Sequence, residues 1–359
     1  MADPLSKAFA IARGWVHDGV VPGVALAAMR HGELAGEFYA GKQAAGAGRP
    51  VDASTLYSVA SITKPFTAAV FMRLVDRGAV GLDEEVRRIV PAFTGADKQE
   101  IILRDLLCHL SGLPKDDPAE AALWQARANF ETTAASAAAL PLATVPGERF
   151  AYSNAGYWVL GAAIAAVTEV PFSTALRTEV LEPAGLTDTF ISPPENVWAR
   201  IARRYGRAKI MNAPYGRELG SPSAGIFATA RDLVRFAHLF LNGGQTRDSH
   251  RVLSTASVAL MTTDQTDGKP GGIEGVQTWP SCPWGLGWEV KGDKLHHWTG
   301  DLTSAATFSH FGQGGALLWA DPEYGVACAI LANRDIATGW TTNPARWARM
   351  SNAVLAALT

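Results

Sequence analysis

Leu56-Tyr57-Ser58-Val59-Ala60-Ser61-Ile62-Thr63-Lys64 carries a short apolar run into the start of a helical pattern. Phe66, Val70 and Leu74 then recur at helical spacing until Gly78 ends it. Residues three apart share a helix face, so this spacing brings the Ser61 hydroxyl and the Lys64 amine within reach of each other. A serine hydroxyl is a weak nucleophile at neutral pH and needs a neighbouring base or cation. A helix N-terminus adds free N–H groups and a positive field. No other Ser-x-x-Lys occurs in the chain. Taken alone, the pair is equally compatible with an ordinary first turn and a solvated lysine, so the rest of the chain decides.

Outward from this stretch, residues 4–19 read as an amphipathic helix. Val24 to Met29 and Glu33 to Ala40 read as two strands joined at His31-Gly32, a hairpin turn. From residue 61 to about 219 the pattern is mostly helical: 61–77, Arg104 to His109, the alanine-rich 119–139, Gly156 to Val167, and 172–184. Beyond Gly220, Thr229-Ala230-Arg231-Asp232 has the form of a capping box opening a helix that ends at Asn242-Gly243-Gly244. Strand-like runs follow at Gly287 to Val290, Ala305 to His310, Gly315 to Trp319 and Gly325 to Leu331, the last apolar enough to be buried on both faces. Arg346 to Leu358 reads as a closing helix. The expectation is one discontinuous α/β domain, residues 1–59 and 220–359, with a packed helical insertion over 60–219.

The bulk properties narrow the function. The chain has 359 residues, 48% hydrophobic and 18% charged, with a net charge of -2 and no basic block, which argues against a nucleic-acid surface or a polybasic membrane anchor. The apolar runs are too short to span a bilayer. The N-terminus has no basic segment followed by an apolar core, so a cytoplasmic location is expected. Cys108, Cys282 and Cys328 lack metal-type spacing and read as buried thiols, and neither a metal nor a cofactor is expected.

Two further constellations carry chemistry. In Tyr152-Ser153-Asn154, a tyrosine phenolate is a strong base if an ammonium such as that of Lys64 lowers its pKa, and the Asn154 amide suits a substrate carbonyl or Lys64. In His310-Phe311-Gly312-Gln313, the glycine lets a ligand lie against a strand edge, and the Gln313 N–H would join that of Ser61 in an oxyanion hole. Each constellation also has an ordinary reading, as a loop cap and as a satisfied core histidine.

The order Ser-x-x-Lys, Tyr-x-Asn, His-x-Gly resembles the serine β-lactamase and penicillin-binding-protein superfamily, in particular the class C β-lactamase-like group that includes family VIII carboxylesterases and D-aminopeptidases. The likeness extends over nearly the whole chain. It includes Val21-Pro22-Gly23, the Leu106–Pro114 segment with its His109-Leu110-Ser111-Gly112, Pro183 to Thr189, Gly225 to Phe236, Trp284-Gly285-Leu286-Gly287-Trp288, and Asp321-Pro322. The resemblance implies an α/β fold of β-lactamase type: an antiparallel sheet flanked by N- and C-terminal helices, with a mostly helical inserted domain. It implies Ser61 as the nucleophile that forms an acyl-enzyme, with Lys64 holding the proton network and Tyr152 as general base. The Ser61 and Gln313 N–H groups would form the oxyanion hole, and Asn154 would contact substrate or Lys64. His109 reads as a brace of the helical part.

The third motif departs from the superfamily's usual Lys-Thr-Gly. His310 carries charge only part of the time near neutral pH, and Phe311 supplies no hydroxyl, so carboxylate binding there should be weak. That favours neutral or hydrophobic acyl substrates, and the expected activity is hydrolysis of small to medium carboxylic esters. The alternatives are a D-amino-acid amidase or peptidase, a weak β-lactamase, or a non-catalytic sensor that acylates and stalls. Trp279, Trp284, Trp288, Trp298 and Trp340 are placed to wall an apolar cleft or simply to pack the core.

Overall fold

The computed structural model describes residues 4–46, 48–205, 209–334 and 344–359. Its centre is a six-stranded antiparallel sheet built from Gly23–Arg30 (β1), Glu33–Gly41 (β2), Glu289–Val290 (β3), Phe308–Gly312 (β4), Ala316–Asp321 (β5) and Val326–Ala332 (β6), in the order β2-β1-β6-β5-β4-β3. The sheet thus joins the first strands of the chain to the last ones. His31 (φ 47°) and Gly32 (φ 83°) both lie in the left-handed region, the conformation a two-residue type I′ hairpin requires, and Arg30 pairs with Glu33.

Side chains alternate between the two faces with the period of a strand. Val24, Leu26 and Ala28 of β1, Leu317 and Trp319 of β5, and Cys328 and Ile330 of β6 share one apolar cluster. That cluster also holds Ala8, Phe9, Ala12 and Trp15 of helix α1 (Ser6–His17) and Met350, Val354 and Leu355 of the terminal helix, Pro344–Leu358. Ala25, Ala27, Leu318, Ala329 and Leu331 face the other way. They meet Leu233, Phe236, Ala237 and Phe240 of the helix Ala230–Leu241. The same cluster continues into Thr63–Asp76 and Asn154–Thr168, so the sheet and the helical region share one core. Fully buried Leu26, Ile330 and Phe66 each contribute about 1.5–3 kcal/mol through burial.

Three of the differences from the sequence pattern have a clear local reason. The alanine-rich 119–139 divides into Glu120–Gln125 and Phe130–Ala139, because Arg127 turns left-handed (φ 51°) and Asn129 caps the second helix by accepting from the Thr132 N–H at 2.9 Å. The strand expected at Ala305 to His310 starts at Phe308, because Ser304 and Thr307 are held by the buried Asp321 carboxylate at 2.7–3.0 Å. The strand expected from Gly287 starts at Glu289: Gly287 (φ 98°) sits so close to Ala68 that a Cβ there would lie 2.5 Å from the alanine methyl.

Candidate active site

Ser61 lies in a 3₁₀ turn, Ala60–Ile62, that leads into the helix Thr63–Asp76. The residue before it, Ala60, is left-handed (φ 49°), an uncommon conformation for a side chain with a Cβ. Thr63 secures the turn by donating to the Ala60 carbonyl at 2.7 Å while accepting from the Ile226 N–H at 3.0 Å. One helical turn on, Lys64 is fully buried, which removes the solvated-lysine alternative. Its Nζ lies 2.6 Å from Asn154 Oδ1, 2.9 Å from the Ser223 carbonyl and 3.3 Å from Ser61 Oγ.

Asn154 therefore orients Lys64, and its own amide is anchored by donating to Asp116 Oδ1 at 2.6 Å. Tyr152 enters from the short strand Phe150–Ala151, which pairs in parallel with Gly271–Gly272. Its hydroxyl interacts with the Ser61 side chain, and Lys64 Nζ stands 4.8 Å from the centre of its ring. The structure thus brings Ser61, Lys64, Tyr152 and Asn154 into one cluster.

Burial sets the charge state. It pushes the Lys64 ammonium well below its ordinary value, opposed by Asp116. It pushes the Tyr152 phenol up, opposed by the Ser61 side chain and reinforced by Asp116 and Glu289. Burial therefore works against both charged forms, the Lys64 ammonium and the Tyr152 phenolate. Asn154 Oδ1 and the Ser223 carbonyl both accept from Lys64 Nζ, so that in the deprotonated amine they would take its two N–H donors and the lone pair would face Ser61 Oγ.

The third motif closes the site from the β4 edge. A Cβ on Gly312 would fall 2.0 Å from the Val59 carbonyl oxygen, and one on Gly314 would fall 2.8 Å from that of Ser58. Two glycines thus let this edge press onto the backbone just before Ser61, and Gln313 lines the same cleft as Ser61. His310 is buried, 6.1 Å from Tyr152 ring to ring, and its Nδ1 donates to the Phe311 carbonyl at 2.8 Å. Burial and Lys64 push its pKa down to about 3, so His310 is neutral at physiological pH, which corrects the expectation of partial charge.

The cleft has a volume of about 360 Å³. Its apolar walls are Leu123, Trp124, Trp158, Ile210, Met211 and Leu219, all from the helical region. This decides between the two readings of the late tryptophans, in favour of core packing. Trp279, Trp284, Trp288 and Trp298 are buried and do not line it, and Trp340 lies outside the described residues. Asp116, Asp117 and Glu120 form an acidic rim that sequence reading missed. Glu120 is pushed up to about 7 by desolvation in the cleft and by Asp116 and Asp117. Because the residue is exposed, like-charge crowding is the firmer of these causes. Among the described residues the two cations lining the cleft are hydrogen-bonded to neighbouring groups: Lys115 donates to the Glu274 carbonyl at 2.9 Å, and the buried Arg204 donates to Ser58 Oγ at 3.0 Å.

An activated serine beside a buried lysine and a tyrosine, under an antiparallel sheet edge, defines a serine hydrolase of the β-lactamase and penicillin-binding-protein type. The chain belongs to the beta-lactamase family, whose model matches residues 9–348. It is 30% identical over 344 residues to penicillin-binding protein 4 of Amycolatopsis lactamdurans, a match covering 90% of this chain and 84% of that one. A penicillin-binding-protein homologue from Caulobacter crescentus superposes with a TM-score of 0.84 at 24% identity, over 99% of this chain and 98% of the other. A family VIII carboxylesterase does so with a TM-score of 0.82 at 22% identity, over 98% of each chain. At these identities the two structures establish the shared fold.

Proposed function

We propose that the protein hydrolyses carboxylic esters through an acyl-enzyme on Ser61. The observation that carries this reading is the charge of the cleft. Of the third motif Gln313 lines the cleft, with His310 buried and neutral behind it, and the rim offers Asp116, Asp117 and Glu120. Among the described residues, a carboxylate-bearing β-lactam would meet only cations already tied to neighbouring groups, Lys115 and Arg204, and would face like charge at the rim. A neutral ester meets neither penalty.

In this mechanism Ser61 Oγ attacks the ester carbonyl as its proton passes to the Lys64 amine. Charge on the carbonyl oxygen is stabilised by the Ser61 and Gln313 N–H groups, an interaction worth about 3–4 kcal/mol per donor in related chemistry. Sequence reading made Tyr152 the base; its burial as a phenol fits a donor better. Tyr152 then delivers a proton to the departing alkoxide and is reprotonated from Lys64, so that the alcohol leaves neutral. Water repeats the sequence on the acyl-enzyme, releasing the acid and restoring Ser61.

The acidic rim favours a second reading within the same chemistry, an acyl group carrying an ammonium, as in an amino-acid amide or peptide. Comparing kcat/KM for a p-nitrophenyl ester series, a D-alanine anilide and a chromogenic cephalosporin separates the readings. The ester reading expects the esters to lead. A leading anilide, weakened about three- to fivefold by Glu120→Gln, would shift the assignment to amidase. A leading cephalosporin would overturn the charge argument.

A further inference from the structure

His109 does more than brace the helical region. It is 1% exposed and left-handed (φ 61°), at the point where the chain leaves the short helix Leu103–Leu107. From there it grips three consecutive residues. Its carbonyl accepts from the Ala151 N–H at 3.0 Å. Its ring lies 4.5 Å from the Tyr152 ring, tilted by 32°. Its Nδ1 accepts from the Ser153 N–H at 3.0 Å. The contacts continue on either side, for Tyr157 Oη donates to the Leu107 carbonyl at 3.0 Å and the Asn154 N–H to that of Lys115 at 2.7 Å.

We propose that His109 is a positioning residue for acyl transfer, fixing Tyr152 and, through the Ser153 N–H, the adjacent Asn154 against Lys64. The inference rests on the Ser61 reading above. It requires a neutral ring, because only an imidazole with an unprotonated Nδ1 can accept from Ser153. Burial holds His109 in that state. It also explains why this residue is left-handed: the conformation turns the chain so that the carbonyl and the ring address the same segment. Trp284, 5.4 Å away on another side, completes the aromatic packing of the ring.

Three substitutions test it. Asparagine places an amide oxygen at the bonded position of Nδ1 and tolerates the left-handed backbone. Glutamine carries its oxygen one bond too far. Glycine keeps the backbone and removes the acceptor and the ring. For each variant, kcat and KM on the best ester are measured, together with the rate at which a p-nitrophenyl phosphonate labels Ser61 and the thermal melt. The expected result is a kcat about 100-fold down in His109→Gly and His109→Gln with KM within about threefold, and His109→Asn recovering at least about tenfold of that loss. Labelling rates should fall in the same order. If the glycine variant fails to fold, the asparagine–glutamine contrast still decides. Equal kcat and equal labelling across the variants and the parent would overturn the inference. Wild-type protein that labels at Ser61 but turns over no ester would count against the ester reading alone, and the labelling order would still decide the role of His109.

Discussion

Lys64 Nζ lies 2.6 Å from Asn154 Oδ1, and this contact joins the helix that follows the nucleophile to the segment that carries Tyr152. It also determines which face of the amine meets Ser61. Replacing Asn154 by alanine removes the anchor without opening the core at large. The expected outcome is a kcat about 100-fold lower with an unchanged melting temperature. Steady-state kinetics and a thermal melt on the same preparation check both halves.

The charge state of Lys64 gives a pH prediction. The amine must be unprotonated to accept the Ser61 proton, so activity is lost as pH falls through the lysine's pKa. Burial lowers that pKa, and activity therefore persists well below the pH at which an ordinary lysine protonates. Asp116 opposes the shift, so Asp116→Asn should move the acid limb of the kcat/KM profile to lower pH, while the asparagine still accepts from Asn154. A limb moving to higher pH would contradict the assignment.

Gly312 stands 2.0 Å, at its absent Cβ, from the Val59 carbonyl oxygen. Gly312→Ala must push the β4 edge away from the nucleophile turn. The expected cost is about 1–3 kcal/mol in denaturant unfolding. A larger fractional loss of kcat than of stability is expected as well, because Gln313 moves with the edge.

Behind the third motif, the fully buried Glu289 carboxylate accepts from Lys294 Nζ at 3.0 Å and lies 3.3 Å from His297 Nε2. Burial pushes the carboxyl up, but Lys294 and His297 outweigh it and hold it at about 2. Its folded-state pKa is below the unfolded one, so its contribution to stability is present above pH 4.5 and is lost as pH falls towards 2. Lys294→Met, which strands the carboxylate, should cost about 3–5 kcal/mol at neutral pH, and combining it with Glu289→Gln should recover much of that. Urea unfolding of the single and double variants gives the comparison.

What the sequence disclosed follows from periodicity and turn chemistry. The hairpin at His31-Gly32, the helix after Ser61 and the doubly buried Val326–Ala332 strand all declare themselves locally. Ser61, Lys64, Tyr152 and Asn154 were legible as motifs, but their meeting was not, because it depends on contacts 90 residues apart in the chain such as Lys64 to Asn154. Asp116 and the Ser223 carbonyl were missed: an acidic residue in a loop and a backbone oxygen carry no pattern of their own. The tryptophans stayed ambiguous because an aromatic residue near a predicted loop looks alike whether it lines a cleft or fills the core behind one.

The central claim is that Ser61 forms an acyl-enzyme with an ester. Its most direct measurement is intact-protein mass spectrometry during turnover of a p-nitrophenyl ester, with peptide mapping of the adduct and the Ser61→Ala variant in parallel. The account predicts an added acyl mass on the peptide containing Ser61, formed and discharged with the release of p-nitrophenol, and neither adduct nor turnover in Ser61→Ala. Ester turnover that survives in Ser61→Ala, or an acyl mass mapped to another residue, would contradict it.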